Sequence, residues 1–234
     1  VLREPVGVVA AFAPWNFPAS QVARKLAPAL AVGCSCIVKP SEETPGAALA
    51  LARALDDAGL PKGVLNVVFG EPAAISGHLI AAPAVRKVSF TGSTAVGKLI
   101  AGQAAQGLKR VTLELGGHAP VIVFDDIDVQ RVAKASATAK LRNAGQVCTS
   151  PTRFLVQSRV HDRFVAALAE AMAATRIGDG LDAATEMGPL ANPRRAQAME
   201  ALVADAVARG GRLATGGARL SSEERRVGKG VDLG

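Results

Sequence analysis

Through the first half of the chain, short apolar runs rich in β-branched residues alternate with longer Ala/Leu-rich stretches, and this pattern predicts strands separated by helices. Strands are expected over 7–13, 34–39, 64–69, 87–91 and 111–115. Pro45 opens one of the intervening helices, which runs to about Asp57 and is closed by Gly59-Leu60-Pro61. Proline just inside a helix start and glycine just past its end is the usual asymmetry. The expected fold class is α/β: a doubly wound, Rossmann-like parallel sheet over 1–116. Such sheets bind ligands beyond the carboxyl ends of their strands, so residues that follow each strand carry most of the functional weight.

From 117 onward the pattern describes a second α/β unit, reaching to 220. Strands are expected over 121–124 and 154–157, with helices over about 128–143, 161–175 and 193–208. The boundary at Gly116-Gly117 is compact. The stretch 221–234 has no apolar period, and its run Ser222-Glu223-Glu224-Arg225-Arg226-Val227-Gly228-Lys229 is expected to be a non-native tail.

Composition narrows the classes. With 234 residues and 49% hydrophobic content the chain can bury an extensive core. No apolar run is long enough to span a bilayer, and Val-Leu-Arg-Glu-Pro at the start is no secretory signal, so a cytoplasmic protein without membrane association is expected. Three cysteines make no disulfide framework, and neither they nor His78, His118 and His161 have metal-ligand spacing, so no metal is expected. The net charge of +7 is spread along a chain without tyrosine, which argues against nucleic acid as a partner. A diffuse basic surface instead favours anionic ligands by long-range attraction.

Five positions invite chemistry, each with an ordinary alternative. Cys148 lies in the small-residue turn Asn143-Ala144-Gly145-Gln146-Val147-Cys148. An accessible turn suits a thiolate nucleophile, whereas free cysteine is more often buried. Glu114 ends a predicted strand beside glycines, as a general base or a solvated strand-end carboxylate. Asn16 is held between prolines in Pro14-Trp15-Asn16-Phe17-Pro18, as an oxyanion donor or a turn cap. Ser93, in Phe90-Thr91-Gly92-Ser93-Thr94-Ala95-Val96-Gly97, passes from strand to helix, where free N–H groups suit a pyrophosphate or the serine simply caps. Lys39, in Lys39-Pro40-Ser41-Glu42, follows the second strand, where a ribose would lie or where surface charges are common.

Taken together and in this order, P-W-N-F-P, V-K-P-S-E, F-T-G-S-T-x-V-G, L-E-L-G-G and G-Q-V-C resemble the NAD(P)-dependent aldehyde dehydrogenase family over residues 3 to 220. The resemblance implies Cys148 as nucleophile, Glu114 as base, and Asn16 with the Cys148 backbone N–H as oxyanion hole. It implies a dinucleotide held by Pro14, Trp15, Lys39, Ser41, Glu42, Gly70, Phe90, Thr91, Gly92, Ser93, Val96, Leu115 and Gly116. A carboxylate at Glu42 accepts hydrogen bonds from ribose hydroxyls and repels a 2′-phosphate, so NAD is expected over NADP, with Lys39 softening the preference.

Arg24 and Arg142 match arginines that hold the far carboxylate of the substrate in succinate-semialdehyde dehydrogenases, a task suited to a guanidinium. The expected substrate is therefore a small carboxylated aldehyde. Betaine aldehyde, aminoaldehydes and broad aliphatic aldehydes are the alternatives within the class. Members of the family are much longer and homo-oligomerisation is expected of the intact protein, so a further alternative is an inactive dinucleotide-binding fragment. Some succinate-semialdehyde dehydrogenases carry a second cysteine two residues after the nucleophile. Ser150 stands there, and no redox-switch disulfide is expected.

Overall fold

A computed structural model describes residues 4–219 and the strand Gly228–Gly230. The chain divides into two compact units, 1–116 and 117–234. The first is built on a wholly parallel five-stranded sheet in the order β3-β2-β1-β4-β5. Its strands are β1 (Val8–Phe12), β2 (Cys36–Lys39), β3 (Leu65–Val67), β4 (Val85–Gly92) and β5 (Arg110–Leu115). The helices are α1 (Pro18–Ala31), α2 (Pro45–Asp57), α3 (Pro72–Ala81) and α4 (Thr94–Gln106).

Side chains alternate across each strand, so β1 feeds two cores. Val9 and Ala11 pack with Val22 and Leu26 of α1 on one face, together with Cys36, Val38 and Ala48. Ala10 and Phe12 pack with Val88, Phe90, Ile80 and Ile100 on the other. With β1 central and buried on both faces, the winding reverses between β1 and β4. That gap at the carboxyl edge is where a doubly wound sheet offers a ligand crevice.

The strands fall where the apolar runs predict them, within a few residues. Cys34 is an exception: β2 starts at Cys36, and Cys34 precedes it. Both thiols are nonetheless buried in the same cluster. Burial and the neighbouring Cys34 push the Cys36 thiol up to about 11.

The second unit pairs β6 (Ala119–Val123) in parallel with β7 (Pro151–Val156). Val121, Val123, Phe154 and Val156 pack on α5 (Val129–Leu141) and α6 (His161–Ala173), around Phe164 and Leu168. The helix expected to reach 143 stops at Leu141. Asn143 and Ala144 there take φ of 51° and 54°, outside the right-handed helical region. After α6 come α7 (Pro193–Ala208) and β8 (Gly216–Arg219), which pairs antiparallel with β9 (Gly228–Gly230). Apart from β9, the stretch 221–234 expected to be a tail lies outside the described residues. No helix among the described residues is long and apolar enough to cross a membrane.

Candidate active site

The carboxyl edge of the first sheet gathers most of the expected dinucleotide ligands. Ala13 N–H donates to the Lys39 carbonyl at 3.1 Å, carrying β1 into the half-buried run Pro14-Trp15-Asn16-Phe17. Pro18 then starts α1 with the Phe17 carbonyl accepting from Gln21 N–H at 2.9 Å. At the end of β2, Lys39 is buried, and its ammonium donates to Glu42 Oε1 at 2.5 Å and to the Pro40 carbonyl at 3.1 Å. Gly70 N–H, beyond β3, points to the same Glu42 oxygen at 3.5 Å. Burial alone would raise the Glu42 carboxyl; the hydrogen bond and charge of Lys39, with backbone N–H groups, outweigh it and hold the group below the ordinary carboxylate range. Ser41 spends its hydroxyl locally, accepting from Glu43 N–H at 3.3 Å.

Ser93 caps α4, its hydroxyl accepting from Val96 N–H at 3.4 Å while the Ser93 carbonyl accepts from Gly97 N–H at 2.9 Å. The N–H groups of Thr94 and Ala95 are left facing outward from the helix start, where an anion is favoured. Gly97 lets this helix lie close to β5: a Cβ there would meet Leu115 Cδ2 at 2.6 Å. Val96 is exposed at the same end, with Leu99 one turn on. Gly116, just past β5, has open space around it.

Glu114 is exposed near the end of β5 and stands in register with Thr91 of β4. Asn16 leaves the same edge two strands away, a lateral distance of about 10 Å from strand spacing alone. Between them lies a residue that sequence reasoning missed. Lys25 sits on the buried stripe of α1 with Val22 and Leu26 and is only 8% exposed. Its ammonium donates to Thr91 Oγ1 at 2.8 Å and Ser89 Oγ at 3.2 Å. Burial lowers its pKa to about 8, against the pull of the Glu114 carboxylate and with the Lys87 ammonium adding to the fall. The signal was present as a lysine at an apolar helical position, i+3 from Val22. Arg24, next to it, is exposed.

Cys148 and Arg142 belong to the second unit. Arg142 is exposed where α5 ends, and the chain then passes through three residues with positive φ, Asn143, Ala144 and Gly145. Glycine adopts φ 74° freely, but the left-handed conformation costs about 1–2 kcal/mol for a residue such as Ala144. Ser150 N–H donates to the Val147 carbonyl at 3.1 Å, closing a turn whose two central residues are Cys148 and Thr149. Cys148 is therefore exposed at a turn apex, in contrast to the two buried cysteines. This removes the alternative of a buried structural thiol.

The donor set fits a dinucleotide. A carboxylate held ionised beside a lysine suits ribose hydroxyls, and a capped helix start with unused N–H groups suits a diphosphate, both on one carboxyl edge. Among the described residues no three His, Cys, Asp or Glu side chains gather as a metal site.

The model of the aldehyde dehydrogenase family matches residues 1–231. A succinate semialdehyde dehydrogenase of Acinetobacter baylyi is 49% identical over 93% of this chain and 45% of its own length. The mitochondrial succinate-semialdehyde dehydrogenase of Arabidopsis thaliana is 49% identical over 94% of this chain and 42% of its own. Among solved structures, succinate-semialdehyde dehydrogenase from Burkholderia pseudomallei superposes with a TM-score of 0.91 at 49% identity, covering 94% of this chain and 46% of that one. A betaine aldehyde dehydrogenase of Staphylococcus aureus in complex with NAD+ reaches 0.90 at 38% identity, covering 94% and 43%. The chain thus spans less than half the length of these relatives.

Proposed function

The chain belongs to the aldehyde dehydrogenase family, and from that premise we propose that the intact protein oxidises a carboxylated aldehyde such as succinate semialdehyde to the corresponding acid. NAD is the favoured hydride acceptor and NADP the alternative. Residues 1–116 serve as the dinucleotide-binding domain and 117–220 as part of the catalytic domain. The intact protein is a homo-oligomer in this reading.

Cys148 attacks the aldehyde carbon as a thiolate, forming a C–S bond and leaving negative charge on the carbonyl oxygen. The Asn16 side-chain amide and the Cys148 backbone N–H stabilise that oxyanion. The dinucleotide, when bound, supplies the acceptor for the hydride lost from the same carbon. Loss of hydride leaves a thioester on Cys148. Glu114 takes a proton from the water that attacks it, and cleavage of the C–S bond releases the acid and returns the thiolate. Lys25 keeps a buried cation in the field of Glu114, with Thr91 and Ser89 hydroxyls fixing its position.

The observation that carries this reading is the exposure of Cys148 at a turn apex while the other two thiols are buried. The carboxylated substrate rests on Arg24 and Arg142, both exposed, and on the company of relatives named for such compounds. Succinate-semialdehyde, glutarate-semialdehyde and 3-sulfolactaldehyde dehydrogenases occur at 45–49% identity. Each of those aldehydes carries an anionic group away from the carbonyl. Steady-state assays on the intact protein should show turnover of succinate semialdehyde that Cys148→Ser abolishes. Arg142→Ala should raise KM for succinate semialdehyde more than for an uncharged aldehyde; equal preference before and after would remove the carboxylate argument and return betaine or aliphatic aldehydes to the front.

A second reading rests on length. Because the chain spans less than half of its relatives, these 234 residues alone act as a dinucleotide-binding fragment. Titration with NAD and a turnover assay on the 234-residue chain separate the two, since binding without turnover identifies the fragment.

A further inference from the structure

We propose that Gln146 is a positioning residue for Cys148, tying the nucleophile's loop to the segment that leads into α7. The proposal rests on the reading of Cys148 as nucleophile. The loop that carries the thiol begins where α5 ends. Three successive left-handed residues, Asn143 to Gly145, remove it from any helical ladder. Gln146 ties the loop at both ends. Its side-chain amide donates to the Asn143 carbonyl at 3.0 Å, and its backbone N–H donates to that same oxygen at 3.0 Å. Asn143 returns the contact, its side-chain amide donating to the Gln146 carbonyl at 3.4 Å.

The remaining polar atom of the side chain reaches across the unit. Gln146 Oε1 accepts from Ala191 N–H at 3.0 Å, a contact spanning 45 positions in sequence. Ala191 is itself well anchored. Leu190 before it is buried, and Asn192 after it caps α7 by accepting from Arg195 N–H at 3.1 Å. One side chain therefore closes the left-handed turn and fastens it to a helix start. Only Val147 separates Gln146 from Cys148, and the turn from Val147 to Ser150 follows directly. Rotation at Gln146 would carry with it both the thiol and the Cys148 backbone N–H. Ångström-scale misplacement of reacting groups costs up to about a hundredfold in rate.

The test uses the intact protein with Gln146→Ala, Gln146→Glu and, as a control, Gln157→Ala. Gln157 makes a comparable tie, accepting from Asp125 N–H at 2.6 Å just beyond β7, and holds no part of the thiol loop. With Gln146→Ala, hydrogen exchange at the Ser150 and Ala191 amides should quicken about thirtyfold, the loss of two net hydrogen bonds. The same variant should lower kcat about tenfold or more, while KM for NAD stays within about twofold. Gln146→Glu keeps an acceptor for Ala191 N–H and loses the donor to Asn143, so its kcat should fall between the two. Gln157→Ala should change neither exchange at Ser150 and Ala191 nor kcat.

Unchanged exchange in Gln146→Ala would overturn the tie, and faster exchange with unchanged kcat would reduce it to a structural contact and overturn the positioning role. Equal losses in Gln157→Ala would do the same. If the unsubstituted protein turns over no aldehyde, the functional reading fails on its own, and the exchange data still decide whether Gln146 holds the loop.

Discussion

Replacing Lys25 with methionine should reverse the sign of its effect on stability as pH rises. The folded lysine has a pKa of about 8 against an ordinary 10.5, because burial penalises the ammonium more than the Glu114 carboxylate repays. At 1.36 kcal/mol per unit, the charged form costs the folded state about 3 kcal/mol. Below pH 8 both folded and unfolded states are protonated, so the whole penalty is present. Between pH 8 and 10.5 the unfolded chain binds a proton that the folded one does not, and wild-type stability rises with pH relative to the variant. Above 10.5 both are neutral and the penalty has gone. Methionine removes the titration but also the hydrogen bonds to Thr91 and Ser89, worth about 1 kcal/mol each. Lys25→Met should therefore be more stable than wild type by about 1 kcal/mol at pH 7 and less stable by about 2 kcal/mol near pH 10.5. Urea unfolding of both proteins at intervals from pH 6.5 to 10.5 measures the difference directly, and titrating groups that do not interact with Lys25 cancel between them. A swing smaller than about 1 kcal/mol across that range would refute the reasoning. Activity should fall in the same variant, since a costly buried cation beside the candidate base is the kind of feature retained for function.

Other outcomes follow from the same geometry. Alkylation of the folded protein at pH 8 should modify Cys148 and leave Cys34 and Cys36 untouched until denaturant is added, as peptide mapping would show; early labelling of Cys36 would contradict its burial and its pKa near 11. Glu42→Gln should shift the ratio of kcat/KM for NADP over NAD upward by roughly tenfold, because the carboxylate that repels a 2′-phosphate is gone while Lys39 remains. An unchanged ratio would remove Glu42 from cofactor choice. Phe164→Ala should cost about 3–5 kcal/mol in urea unfolding, since this ring is 1% exposed and packs against Phe154 at a centroid distance of 5.9 Å.

Much of the candidate site was legible because its residues follow strands. The turn after β1, the Lys39-to-Glu42 segment after β2 and the Ser93 cap after β4 each announce themselves by a run of β-branched residues ending at proline, glycine or a capping side chain. Lys25 was not legible in the same way. Its place on the apolar stripe of α1 is a weak signal for a residue type that is ordinarily solvated, and its burial follows from α1 lying over Ser89 and Thr91, residues more than sixty positions away. The end of α5 was overestimated for a related reason. Leu141-Arg142-Asn143-Ala144 carries no proline or glycine, and the left-handed turn that starts there combines the local preference of Asn143 and Gly145 with the distant tie from Gln146 to Ala191.

The sequence by itself determined the order of strands and helices as far as α7, though not β8 and β9, together with the glycines and caps at their ends and which side chains would stand near a carboxyl edge. These depend on periodicity and on backbone preferences that act over a few residues. The tertiary structure alone decided that Cys148 is exposed while Cys34 and Cys36 are buried, that Lys39 closes on Glu42, and that Lys25 is an unwilling cation. Burial and charge are set by what packs against a group from distant parts of the chain, and no local pattern encodes that company.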